Sequence, residues 1–191
     1  MDEWIVYGLI RDHMVNLRLM LDRCRQHQIA LNSKKCIFCA PFGMFLGNIV
    51  CKQGLLVDLT NSALILSLLS PTNVKMLRAT LGNTGYYRKF IRGYAAITTS
   101  MEKLLKKDAT FVSSQECEGS FDTLKDKMGS TSILVFPDWN KDFHDYVDAL
   151  SFALGVVLAQ PREGDLDHLI AFTSQKLSFV EKNYITTERE G

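Results

Sequence analysis

Apolar residues Met14, Leu17, Leu21 and Cys24 recur at i, i+3, i+7 and i+10, one face of a helix that Asp12 can cap and that runs out near Gln28. LNSKKCIFC (31–39) then reads as a loop leading into a strand. FLGNIVCKQGLLVD (45–58) follows as two apolar arms around Lys52-Gln53-Gly54, a hairpin pattern. From Asp58 the period turns helical. LTNSALILSLL stops before Pro71, because proline disfavours helical geometry in the residue before it. Thr72 can cap the next helix, with Val74, Leu77 and Leu81 on one face, and Gly82 and Gly85 interrupt it before YYRKFIRGY. A further helix starts at Ser113, with Glu116 completing a capping box and Cys117, Phe121, Leu124 and Met128 at i, i+4, i+7 and i+11. Beyond Pro137 the strand pattern returns through residue 174, and SFVEKNYITTEREG turns helical. Helix and strands, a helical block, then a strand meander make an α+β chain in segregated blocks.

Composition changes this picture little. The 191 residues are 47% hydrophobic and 23% charged, a globular balance without low-complexity tracts. The longest apolar run, ALILSLL at 63–69, is far short of the roughly 20 residues of a membrane span, and no secretory signal opens the chain. No membrane partner is expected, and the five irregularly spaced cysteines suit an intracellular, reducing compartment, cytoplasmic or nuclear. Charge changes it more. Residues 1–107 hold 15 Lys and Arg against 6 Asp and Glu, whereas residues 108–191 hold 7 against 15. The basic part is suited to an anionic partner.

Three groups of residues are candidates for chemistry. Between Lys75 and Lys107, the bases Lys75, Arg78, Arg88, Lys89, Arg92, Lys103, Lys106 and Lys107 face one acid, Glu102, with Tyr86, Tyr87, Phe90 and Tyr94 interleaved. Such spacing can pair with successive phosphates, or can be a solvated face over core aromatics. Cys24 and His27 (C-x₂-H) with Cys36 and Cys39 (C-x₂-C) carry zinc-ligand types. Yet Cys36 and Cys39 flank Ile37 and Phe38 in an expected strand, where positions three apart face opposite ways, so free thiols and no zinc are expected. Finally, FHDYVDALSFALGVVLAQ (143–160) reads as two strands around a bend at Ser151 and Gly155, with Asp148 closing the first. Asp148 either bonds the backbone of the turn or is a metal carboxylate on a rigid strand, with Glu188 and Glu190 on the following helix as partners.

The stretches MDEW, LNSKKCIF, FLGNIVCKQGLLVD, LRATLGNTGYYRKFIRGYAAIT, MEKLLKKD, ILVFPDWNKDFH, VDALSFALGVVLAQ and AFTSQKLSFVEKNYITTEREG cover nearly the whole chain. In this order they resemble the Pol polyprotein of gypsy-class long-terminal-repeat retrotransposons, from the end of the reverse transcriptase into ribonuclease H. The resemblance implies three parts: the end of a polymerase palm with its primer-grip hairpin (1–57), a helical thumb (58–135), and the first half of a ribonuclease H-like domain (136–191). Asp2 corresponds to the first carboxylate of the polymerase Tyr-x-Asp-Asp motif, and Glu3 stands where the family has Asp. Leu46 and Gly47 lie in the primer grip. Lys75, Arg78, Arg88, Lys89 and Arg92 lie where the thumb meets the duplex. Asp148 and Glu190 correspond to ribonuclease H carboxylates, so Asp2, Asp148 and Glu190 are the implied Mg²⁺ ligands.

The implied activities are RNA-directed DNA polymerisation and cleavage of RNA–DNA hybrids by two-metal phosphoryl transfer. The implied partners are an RNA–DNA or DNA primer–template duplex and the remainder of the Pol polyprotein. Departures from the family pattern are Glu3, Leu150 where the family has a small polar residue after Asp-Ala, and a Trp missing from FVSSQE. The family's further palm Asp and third ribonuclease H carboxylate have no counterpart here, so the chain alone is expected to be inactive, a truncated or decayed copy. A non-catalytic duplex-binding module is the alternative reading, and an interaction domain without a nucleic-acid role is a third.

Overall fold

The computed structural model describes residues 4–6, 8, 10–107, 110–162, 164 and 166–184. The chain divides into two compact units, Met1–Lys52 and Gln53–Gly191. No helix among the described residues is long and apolar enough to cross a membrane.

In the first unit, helix α1 (Ile10–Gln26) begins before the expected cap, which leaves Asp12 in the first turn, where a negative charge suits the helix's positive end. Of its expected buried face only Cys24 is buried; Met14 and Leu21 are exposed. The strand expected at Cys36–Cys39 does not form. Asn32 caps a 3-10 turn, Ser33–Lys35, and Cys39 takes a left-handed φ of 55° that breaks extended geometry. Strand β1 (Phe42–Phe45) starts only after Pro41, which offers no N–H to a ladder, and pairs antiparallel with β2 (Asn48–Cys51).

The second unit opens with strand β3 (Gly54–Val57), the far arm of the expected turn at Lys52-Gln53. Asp58 then caps helix α2 (Leu59–Ser67), its carboxylate accepting from the Thr60 amide. Helix α3 (Val74–Tyr86) is capped by Asn73 rather than Thr72, because the Asn73 side-chain Oδ1 accepts from the Met76 amide at 2.9 Å. It also runs through Gly82 and Gly85. Burial of Leu77, Thr80 and Thr84 outweighs the weak helix propensity of the two glycines. Short helices α4 (Tyr94–Ile97) and α5 (Thr99–Lys103) follow. Helix α6 (Gln115–Gly129) starts one residue later than expected: Ser114 accepts from the Cys117 amide, and Glu116 lies beside Lys103 instead of completing a capping box. Its expected apolar face, Cys117, Phe121, Leu124 and Met128, is buried throughout.

Strands β4 (His144–Ala149), β5 (Ala153–Pro161) and β6 (Asp167–Lys176) form an antiparallel meander in that order. The bend lies at Leu150–Phe152, and Gly155 is inside β5 opposite Asp148 rather than at the bend. Gln160 has no exposed surface, and its side-chain amide is saturated by the Asp138 N–H and by the Asp138 and Lys141 carbonyls. Of the expected final helix, the described residues hold a 3-10 turn, Glu181–Asn183; the rest lies outside them.

The core of this unit joins Leu77, Phe90, Ile91, Met101, Phe121, Leu124, Met128 and Leu134, with Leu169 of β6 packed against it. Burying each large apolar side chain contributes about 1.5–3 kcal/mol. Leu134 exchanges both backbone hydrogen bonds with Leu55 of β3 (2.7 and 3.0 Å), and the next amide, Val135, donates to Leu169 at 2.8 Å. The sheet edge and the helical core therefore meet along one strand of backbone.

Gly54 makes this approach possible. Its φ is +139°, and a Cβ there would lie 2.1 Å from the Leu134 carbonyl oxygen. Gly54→Ala is expected to destabilise the chain by about 3 kcal/mol or more, read from denaturant unfolding. An unchanged midpoint would show that Leu134 does not need this contact.

Candidate functional site

Asp148, Gly155 and Ser174 form one row across the meander, since Asp148 pairs with Gly155 and Gly155 with Ser174. Side chains of directly paired residues share a face. Gly155 has none, so the row is a trough between the Asp148 carboxylate and the Ser174 hydroxyl. Arg92, Gly93 and Ala96 border it from the helical side. Helix α4 has no side-chain cap; its Ala95 amide instead donates to Ser174 Oγ at 2.9 Å, which fixes the start of the helix over the sheet. Asp148 is exposed, and the Arg92 guanidinium stands 4.0 Å from its carboxylate, both side chains 68% accessible.

Strand alternation puts His144 and Tyr146 on the same face as Asp148. Both bond Asp167 Oδ2, Tyr146 from its hydroxyl at 2.8 Å and His144 through Nδ1 at 2.7 Å. These bonds hold the Asp167 carboxyl below the usual carboxylate range and push the Tyr146 hydroxyl up. Asp167 and Ser174 are not evident from the sequence: the alternation in HDYVD marks the face but not its cross-strand partners.

Lys75, Arg78, Arg88 and Arg92 are exposed on the helical block. Lys89 is different: its ammonium sits 5.3 Å from the Phe90 ring centroid, and burial lowers its pKa. Glu102, the one acid of the basic stretch, accepts from Thr98 Oγ1 at 2.8 Å and from Lys176 Nζ of β6 at 2.6 Å, so its charge is balanced from the sheet. Arg88 and Lys106 border a shallow groove whose wall includes Gly82 and Gly85. A Cβ at Gly82 would meet nothing within 4 Å among the described residues.

In the first unit, Leu46 and Gly47 form the two-residue turn between β1 and β2 with φ of 46° and 68°. Two positive φ values match a type I′ hairpin turn, a place for Asn-Gly. Leu46 is therefore strained, and its side chain is exposed. Cys24 Sγ contacts Met20 Sδ, and Cys36 Sγ donates to the Asn32 carbonyl. Asp2, Glu3, Glu188 and Glu190 lie outside the described residues. Among the described residues no three His, Cys, Asp or Glu side chains gather as a metal site. Those residues do not by themselves fit Mg²⁺: they bring one carboxylate, Asp148, and a guanidinium faces it.

Residues 114–191 match the family model described as an RNase H-like domain found in reverse transcriptase. The match takes in helix α6 together with the meander. The whole chain is similar to the retrovirus-related Pol polyprotein from transposon opus of Drosophila melanogaster, 36% identical over 201 residues, covering 99% of this chain and 20% of the relative. It is 31% identical to the corresponding polyprotein of transposon 412 from the same fly (100% of this chain, 15% of the relative). It is 26% identical to the transposon Tf2-3 polyprotein of Schizosaccharomyces pombe (100% and 14%). The chain thus spans 14–20% of the length of these relatives. A foamy viral protease–reverse transcriptase solved with double-stranded DNA shares the fold at 16% identity and a TM-score of 0.78, covering 96% of this chain and 32% of that one. One solved with an RNA/DNA hybrid does so at 16% and 0.75, covering 96% and 25%.

Leu46→Asn should relieve the left-handed strain and raise stability by about 1 kcal/mol, measured by thermal unfolding. A lower melting temperature would mean that the exposed leucine contributes packing that outweighs the strain.

Proposed function

We propose that this chain, which belongs to the Pol polyprotein family of retrotransposons, holds a primer–template or RNA–DNA duplex for that polyprotein's polymerase and ribonuclease H. In this reading α2–α6 act as the thumb, the Leu46-Gly47 turn belongs to the primer grip, and the meander brings Asp148 to a ribonuclease H-type carboxylate site. Asp2, Glu3 and Glu190 would complete the polymerase and ribonuclease H carboxylates. Mg²⁺, when bound to such carboxylates, supplies charge stabilisation to phosphoryl transfer. The residues described here bind and orient the duplex.

One observation carries the reading. Gly82 costs α3 about 1 kcal/mol relative to Ala, and among the described residues nothing fills the space beside it. The open surface at Gly82, in a groove that Arg88 and Lys106 border, suits the close approach of a phosphate backbone, which two cations can then neutralise. With Glu102 balanced by Lys176, the groove keeps a positive balance.

Binding to hybrid and DNA duplexes, followed by fluorescence anisotropy against salt, tests it. Four or five phosphate contacts give a log–log slope of about −4, nearly independent of duplex sequence, and Arg88→Ala flattens the slope by about 1. Gly82→Ala should raise the melting temperature while weakening duplex binding. Salt-independent affinity, or a Gly82→Ala variant that binds like the parent, contradicts the reading.

A further inference from the structure

The loop that leads into β4 presents Trp139 to solvent with 81% of its surface accessible, although indole is among the largest apolar groups a fold can bury. Its described ring partner is Phe143, with centroids 5.9 Å apart and planes inclined by 56°. The backbone beneath the ring is fixed. The Lys141 amide donates to the Asp138 carbonyl at 3.0 Å, closing a turn with Trp139 and Asn140 at its tip. Buried Gln160 of β5 grips the same turn, accepting from the Asp138 amide and donating to the Asp138 and Lys141 carbonyls. Asp138 Oδ1 also accepts from the Asn140 amide and from its side chain, both at 3.1 Å. The sheet thus holds an exposed ring at a set place, and the loop is ordered before any partner arrives.

The charge around the ring decides what suits it. Asp138, Asp142 and Asp145 stand against Lys141 in this stretch, and His144 is taken up by Asp167. Asp142 and Asp145 are exposed, and neither has an ion-pair partner among the described residues. Phe143 and Asp145 are two apart at the start of β4, so they share one face, opposite to the face that carries Asp148. Carboxylates repel a phosphate backbone here and attract a cation, which the negative face of an indole also attracts. Arginine fits both at once, because a planar guanidinium stacks on the ring while its edge donates to a carboxylate.

We propose that Trp139 and Phe143, with Asp142 and Asp145, form a docking site for an arginine-bearing basic segment of another polypeptide. The guanidinium stacks on the indole, and its N–H groups reach the carboxylates. The site is separate from the Asp148 trough and does not rest on the duplex-binding reading.

The Trp139 indole N–H signal in an NMR spectrum of the full chain, assigned by its loss in Trp139→Phe, reads the site directly. An arginine–glycine repeat peptide should shift it, and the matching lysine–glycine peptide should bind more weakly, since an ammonium forms no planar stack. Trp139→Ala, followed through the Phe143 and Asp145 amides, should weaken the arginine peptide about two- to fivefold, the range of an exposed cation–π contact. Asp142→Asn combined with Asp145→Asn should weaken it and flatten its salt dependence, which Trp139→Ala leaves in place. The ring lies outside the core, so Trp139→Ala should melt near the parent. Equal affinity of parent and Trp139→Ala for the arginine peptide, or no preference over the lysine peptide, overturns the proposal. An indole signal that moves with single-stranded oligothymidylate and not with the peptide also overturns it, making the ring a base-stacking platform. So does a signal that moves with protein concentration alone, which gives the site to a second copy.

Discussion

Two residues of extended chain, Leu134 and Val135, tie β3, the helical core and the meander of the second unit to one another. Leu134 takes both backbone bonds of Leu55 on one side, and Val135 donates to Leu169 of β6. The Leu134 side chain is itself 3% exposed in the core built by α2, α3 and α6. Backbone groups buried there have no water to turn to, so the ladder and the core stabilise each other. The meander cannot leave without opening the helical core, and the helices cannot rearrange without breaking the sheet edge. The Ala95–Ser174 bond and the Glu102–Lys176 pair add direct links between the same two blocks, and together they set the position of Arg92.

The trough beside Asp148 shows what the coupling achieves. Asp148 is delivered by one strand pair, Ser174 by the next, and Arg92 by the turn before α4, elements far apart in sequence. No single element holds the site. A carboxylate on a strand end and a cation on a helix start share one face only because the two blocks form one unit.

The sequence was most legible where a single element decides its own fate. The spacing of Cys117, Phe121, Leu124 and Met128 names the buried face of α6 correctly, because one amphipathic stripe meets one core. Asp148 was likewise found at the end of its strand. Local chemistry misled where two candidates stood side by side: Asn73 won the cap from Thr72, and Ser114 from Ser113, by backbone geometry that composition does not reveal. Gly82 and Gly85 suggested a break, but the burial of Leu77 and Thr84 carries α3 through them. Cys36–Cys39 suggested a strand where the left-handed Cys39 prevents one. Arg92 read as a phosphate ligand, and its nearness to Asp148 was invisible, because 56 positions of chain separate them and only the packed unit brings them together.

Native-state hydrogen exchange against denaturant measures the coupling most directly. Amides in the middle of α3 and α6 and the paired amides of β5 and β6 around Val157 and Phe172 should lose protection with one free energy and one denaturant dependence. If the β5–β6 amides open at low denaturant while α3 and α6 stay protected, the helical block and the meander are separate cooperative units, and the account of a single unit through Leu134 is wrong.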